Sequence, residues 1–233
     1  MDRGLYIAAS GMLAEQVRQD QIANDLANSS TPGYKADRTA QQSFGNLLLS
    51  NSATGLLVGP QSTAVEVRRI ATDWTPQPLN DTGEPLDFGI TGNGFFAVQT
   101  AQGTRYTRNG QFTSNAQGQL VTAMGDRVLG RNGQPIRIGA DGKVDPRLLN
   151  VVLLANPRKQ GDNYVTGTPG AVAGQTVGQV RAGALEESGA DPTRSMVDMI
   201  SSMRSYESGQ KVIQTIDETL NKAVTQVGSV TGG

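Results

Sequence analysis

The chain has 233 residues, a formal charge of −1, 36% apolar and 5% aromatic residues, so neither one dense core over its whole length nor a field that recruits nucleic acid is expected. It has no cysteine and no histidine, which removes disulfides, thiolate chemistry, the commonest general base and most zinc sites. No stretch approaches the roughly 18–20 apolar residues of a membrane span, and the N-terminus lacks the pattern of an ordinary signal peptide.

In chain order, the first predicted element is a helix over residues 3–29, with Leu5, Ala9, Met12, Leu13, Ala23, Leu26 and Ala27 on its apolar side. It stops at Asn28-Ser29-Ser30-Thr31-Pro32-Gly33, where small polar residues meet Pro and Gly. Asn24 and Asn28 lie one turn apart there, suited to helix-end solvation or to an amide pair on neighbouring backbone. Phe44 with Leu47, Leu48 and Leu49 suits a short helix, and Asn51 to Pro60 a polar, Gly-containing stretch. Val65 to Ile70 alternates as a strand, which Pro76 and Pro78 keep from extending.

From Pro85 to Ile138 the pattern is a run of hairpins. Strands are expected at Leu86–Ile90, Phe95–Gln99 and Leu120–Thr122, with turns at Gln102-Gly103, Ala116-Gln117-Gly118, Arg131-Asn132-Gly133 and Ala140-Asp141-Gly142. Asn109-Gly110 carries the strongest turn signal, of the type I′ class. Val151–Ala155 looks like a buried strand, Pro157–Gly178 a loose Gly-rich stretch, and Gln179–Ala184 one more strand.

The last element is a long helix. Asp191 suits its cap and Pro192 its first position, and it runs to about Val227. Met199, Tyr206, Ile213, Leu220 and Val227 fall seven apart and are apolar at every step, whereas Met196, Met203, Gln210, Asp217 and Val224 form a mixed line. The methionines suit a seam that packs against slightly different neighbours. A helix with one narrow apolar stripe needs a partner, and both ends of this chain carry one. The expected fold class is α+β: N- and C-terminal helices that bundle with each other or with other copies in a coiled-coil-like assembly region, with a mostly antiparallel β-rich middle. The division is 1–35 for the first assembly helix, 36–75 for an extended connector, 76–185 for the β-rich domain and 186–233 for the second assembly helix.

Chemical motifs are weak. Gly92-Asn93-Gly94-Phe95-Phe96-Ala97 matches a dinucleotide fingerprint, but a strand follows where a helix N-terminus is required. Ser208-Gly209-Gln210-Lys211 matches Ser-x-x-Lys without its companion motifs and lies mid-helix. Glu186-Glu187 and the Asp81, Glu84, Asp87 group offer paired carboxylates for glycosidic chemistry, although acidic residues are commoner at turns and helix approaches. No catalytic, metal or cofactor residues are assigned.

Three segments together resemble the flagellar basal-body rod protein family, relatives of the hook protein. The first is Leu5–Met12 leading to Ile22–Lys35, similar to the family's N-terminal signature, with Asn24, Leu26, Ala27, Asn28, Gly33, Tyr34 and Lys35 on its positions. The second is Thr82–Phe96 followed by Tyr106-Thr107-Arg108-Asn109-Gly110-Gln111-Phe112. The third joins Leu185-Glu186, Met196–Ile200, Tyr206-Glu207 and Lys211–Thr215. Asp25 departs from the family's usual Asn, and Ser188-Gly189-Ala190-Asp191-Pro192 from its usual entry to the last helix.

The resemblance implies a structural, non-catalytic subunit of the periplasmic rod in the flagellar basal body. Its partners would be copies of itself, other rod and hook subunits and the flagellar export apparatus. It would have no nucleic-acid partner, no membrane span and no cleaved signal peptide. Leu5, Met12, Leu26, Met199, Met203, Tyr206, Ile213, Leu220 and Val227 would then form the assembly interface. The short middle and the C-terminal ending look more like a proximal-rod subunit, with the distal-rod subunit as the alternative. Two other classes stay open: a different tube or fibre protein of phage-tail type, and a glycan-active β-rich enzyme.

Overall fold

The computed structural model describes residues 3–50, 57–161, 163–170 and 172–230. The chain divides into two compact units: one of residues 1–26, 37–71 and 192–233, the other of residues 27–36 and 72–191.

In the first unit, α1 (Arg3–Ala27) pairs with α2 (Pro192–Val230). At about 1.5 Å per residue the 39-residue α2 is about 58 Å long, and the 25-residue α1 about 37 Å. A Cβ on Gly4 would lie 3.6 Å from Ile216, and one on Gly209 2.8 Å from Met12 Cγ. Ser202 meets Glu15, and Arg18 lies 3.9 Å from Asp198. The partners ascend on one helix as they descend on the other, so the pair is antiparallel. This unit also holds the two-stranded sheet of β1 (Asp37–Ser50) and β2 (Leu57–Thr72). The short helix expected at Phe44 and Leu47–Leu49 is therefore a strand: pairing with β2 overrides a local propensity. Of the polar stretch expected at Asn51–Pro60, residues 51–56 lie outside the described residues, and Leu57 to Pro60 belong to β2.

The second unit is β-rich. Its strands are β3 (Leu79–Asp81), β4 (Phe88–Thr91), β5 (Phe95–Thr100), β6 (Gly103–Thr107), β7 (Phe112–Ser114), β8 (Leu120–Thr122), β9 (Arg127–Val128), β10 (Val151–Val152), β11 (Leu154–Lys159), β12 (Tyr164–Pro169), β13 (Gln179–Ala182) and β14 (Ala184–Glu186). The main sheet runs β11-β12-β6-β5-β9-β8-β7, with β10 also on β5; β13 pairs with β4 and β14 with β3. All of these named pairings are antiparallel.

Strand β5 is the centre because both of its faces are apolar. Phe96 and Val98 enter a cluster with Phe88, Ile90, Phe112, Leu120 and Leu149. Phe95 and Ala97 enter a second cluster with Tyr106, Leu154 and Val165, against which Trp74 packs. Each fully buried Phe or Leu contributes about 1.5–3 kcal/mol, so these layers supply most of the unit's stability.

Two expectations are corrected here. Pro157–Gly178 is not simply loose, because β12 and the end of β11 lie in it and pair antiparallel. Asn109-Gly110 does not close a type I′ hairpin. Neither residue has a positive φ, and β7 pairs with β8, not with β6. Asn109 Oδ1 accepts the Gln111 N–H at 2.9 Å, a side-chain turn. Gly110 is required by close approach: an added Cβ would stand 1.6 Å from the Phe88 carbonyl oxygen. Gly118, at φ +68°, has open space around it.

These two glycines should therefore respond differently. Gly110→Ala is expected to destabilise the β-rich unit by about 3 kcal/mol or more, because backbone cannot yield to the methyl group. Gly118→Ala should lose only about 1–2 kcal/mol, the cost of a left-handed backbone. Urea unfolding followed by the fluorescence of Trp74, the single tryptophan, measures both.

Candidate functional site

Two features stand out, one in each unit. In the helix pair, the packed side of α2 follows Met199, Ser202, Tyr206, Gly209, Ile213 and Ile216, each half-buried or buried. Met199, Tyr206 and Ile213 are members of the heptad line. Their companions are not the Met196, Met203 line but the small residues Ser202 and Gly209, which let the helices approach closely. Ser202 is fully buried, and its hydroxyl donates to Glu15 Oε2 at 2.6 Å. On α1, Leu5, Met12 and Leu26 are half-buried. Met203 and Leu220 are exposed in the single chain, at 53% and 40%. Val227 lies on α2, and its side chain is outside the described residues.

In the β-rich unit the central feature is a buried ion node. Glu186, at the end of β14, has a side chain with 0% exposure. Its Oε1 accepts from Lys35 Nζ at 2.6 Å and from the Gln77 N–H at 2.9 Å. Its Oε2 accepts from an Arg108 guanidinium nitrogen at 2.8 Å. Lys35 and Arg108 are themselves only 3% exposed. Two cations on one carboxylate leave a surplus positive charge, which backbone carbonyls meet. Lys35 donates to Thr75 O at 2.7 Å, and Arg108 to Gly92 O at 2.6 Å. Arg108 Nε is a buried donor with no hydrogen-bond partner, and the Phe95 ring lies 5.4 Å from the guanidinium carbon. Burial pulls the Lys35 ammonium below the ordinary lysine value of 10.5. Glu186 opposes that shift and Arg108 adds to it. Burial also pushes the Tyr106 phenol up.

The signature residues converge on this node. Gly33, at φ +65°, has no room for a Cβ, which would lie 2.4 Å from the Arg108 carbonyl oxygen. Its N–H donates to Glu186 O at 2.9 Å. Tyr34 is buried, with Lys159 Nζ 4.2 Å from its ring centre. Asn28 ends α1, its carbonyl accepting from Thr31 N–H and Ser188 Oγ. Asn24 and Ala27 are exposed. Both departures from the signature have local partners. Asp25 accepts from Gln21 Nε2 at 3.2 Å and from the Asp37 N–H at 3.4 Å. In the altered entry, Gly189 donates its N–H to Tyr34 O at 2.8 Å.

The other motifs resolve into structure. Gly92 and Gly94 lead into β5, and Ser208 to Lys211 lie on α2. Exposed Asp81 pairs with Arg181 at 2.9 Å, and Asp87 accepts from Thr82 Oγ1 at 2.7 Å. Glu187 is exposed while Glu186 is sealed, so they present no open carboxylate pair. Sequence reasoning placed Lys35, Arg108 and Glu186 in separate motifs and did not join them. The available signal was no more than a charged residue inside each motif.

Comparison with known proteins follows the same three-part division. The family model described as "Flagella basal body rod protein" matches residues 5–35, the hook protein FlgE/F/G D1 domain matches 89–146, and the basal body rod FlgEFG C-terminal model matches 181–226. Each matched region supplies one member of the node. The chain is 32% identical to the flagellar basal-body rod protein FlgF of Caulobacter vibrioides, over 99% of this chain and 100% of that one. It is 33% identical to the rod protein FlgG of Bacillus subtilis, over 96% and 98%, and 29% identical to the hook-basal body complex protein FlhO of the same organism, over 99% and 100%. All three matching models describe proteins of the bacterial flagellar rod and hook. The chain belongs to the flagellar basal-body rod protein family, a structural component of the basal body.

The node predicts an order of damage. Glu186→Gln removes the one carboxylate bonded to both buried cations, leaving only the Asp73 charge acting on Lys35, and should destabilise the β-rich unit by about 3–5 kcal/mol. Lys35→Met leaves a balanced Arg108–Glu186 pair and should lose only about 1–2 kcal/mol. The pH dependence carries a sign. Folded Lys35 releases its proton below the unfolded value, so its contribution is fully present above 10.5 and lost as pH falls through the folded value. The stability of the native chain relative to Lys35→Met should therefore grow as pH rises toward 10.5, measured by urea midpoints at several pH values.

Proposed function

We propose that this chain is a non-catalytic building block of the rod's axial tube, meeting copies of itself and other rod and hook subunits through its helix pair. The observation that carries this reading is a pair of unlike apolar stripes left open on one unit. On α2, Met196, Val197, Ile200 and Met203 are exposed, and on α1, Tyr6, Leu13 and Val17. A groove of about 600 Å³ on α2, lined by Val197, Ile200, Ser201, Arg204, Ser205 and Ser208, continues the first stripe. Unlike patches on one body favour head-to-tail contacts, which extend into helical assemblies where a two-fold contact would close.

In this reading Leu5, Met12, Leu26, Met199, Tyr206 and Ile213 hold the pair together, and Met203, Leu220 and Val227 extend the assembly face. Residues 1–35 and 186–233 serve as the assembly segments, 36–75 as the connector and 76–185 as the outer domain. The subunit reaches the basal body through the flagellar export apparatus, binds no nucleic acid and lines a passage for exported subunits. No observation favours a glycan-active enzyme or a phage-tail fibre.

Ile200→Asp places charge on this face and Leu220→Asp places it on the heptad line, both at positions already open in the single chain. Both variants should keep the unfolding curve of the native protein and give non-motile cells without completed rods. Normal swimming in both would refute the assembly reading. The short middle further supports a proximal position in the rod, with few copies. Quantitative mass spectrometry of purified basal bodies tests this, and a copy number equal to that of the most abundant rod protein would place the chain in the distal segment.

A further inference from the structure

We propose that residues 28–36, the end of the N-terminal signature, are an internal strap locked into the β-rich unit within the single subunit, and that its buried Gly33, Tyr34 and Lys35 do not form a contact between subunits. The strap is held along its length. Asn28 O accepts from Ser188 Oγ at 2.8 Å, and Pro32 O from Asn163 Nδ2 at 3.2 Å. The Gly33 N–H donates to Glu186 O at 2.9 Å, Tyr34 O accepts from Gly189 N–H at 2.8 Å, and Ala36 O accepts from Asp73 N–H at 2.9 Å. Lys35 places its ammonium on Glu186. A residue reserved for a neighbouring subunit has to show a free face in the single chain. Gly33, Tyr34 and Lys35 are instead buried with no second copy present.

The lock has a consequence for the helices. Asn28 follows the last residue of α1, and Ser188 precedes the first residue of α2 by four positions. Their 2.8 Å hydrogen bond brings the two exits from the β-rich unit together. The proposal concerns the subunit alone and does not depend on the assembly reading above.

Hydrogen exchange with mass spectrometry on the full-length, dilute monomer tests it. The Gly33 amide, and the Gly189 and Asp73 amides that donate to strap carbonyls, should exchange within about tenfold of those in β5 and β6. Gly33→Ala forces a methyl group onto the Arg108 backbone while leaving the charged groups of the ion node in the sequence, and should lower strap protection by roughly a hundredfold while β5 keeps its own. Ser188→Ala should loosen residues 28–31 and the Ala190 amide, which binds the same hydroxyl, by about tenfold, with β5 and β6 unchanged. A strap that exchanges like free peptide in the monomer and gains protection only in assembled rods would overturn the proposal. Unchanged strap protection in Gly33→Ala would do the same.

Discussion

The Glu186 carboxylate sets the terms for the β-rich unit. A carboxylate with no water is tolerated only where donors surround it, and here they come from three separate parts of the chain: Lys35, the Gln77 amide and Arg108. Losing Glu186 would strand two cations in a dry interior, and losing Arg108 or the Gln77 amide would leave the carboxylate short of donors. The segments are thus forced to be in place together, which apolar packing would not demand. Buried ion pairs often add little net stability over apolar residues of the same volume. What this one imposes is a unique arrangement: Lys35 and Glu186 lie 151 residues apart, Arg108 and Glu186 78 apart, and one point joins them.

The helix pair obeys a different constraint. Its seam relies on small residues, with Ser202 and Gly209 allowing α1 to come close. Large apolar side chains on α2 are thereby released to another face, where Met196, Ile200 and Met203 stay open in the single chain. Methionine suits that position because its unbranched, polarisable side chain fits more than one neighbour. Tight internal packing and an adaptable outer stripe on one helix are what a repeating assembly of unlike contacts requires.

How much of this was legible follows from where each signal lies. Both helices, the hairpins at Gly118 and Gly133 and the strands β4 and β5 are written in local periodicity and turn residues. Strand β1 is not, because Leu47 to Leu49 have no local reason to extend until β2 pairs with them. Gly110 misled because glycine serves two purposes, a positive φ or the absence of a Cβ, and the sequence does not say which. The seam was half legible: the line of Met199, Tyr206 and Ile213 could be counted, but Ser202 and Gly209 act by being small, which no hydrophobic count detects. The ion node was least legible, since a lone Lys, Arg or Glu in a motif looks the same whether it faces solvent or a partner far along the chain.

The same node explains why Glu186 and Glu187 do not form the carboxylate pair that their spacing suggested. Two carboxylates acting on a sugar must flank an open cleft. Glu186 is walled in by two cations and a backbone amide, Glu187 is exposed beside it, and the Glu187 N–H is bound to Pro78 O at 2.9 Å. Adjacent residues on extended backbone point to opposite sides, so one carboxylate is committed to the interior while the other meets water. The feature that looked most like catalytic chemistry is the one that ties the signature segment to the rest of the unit.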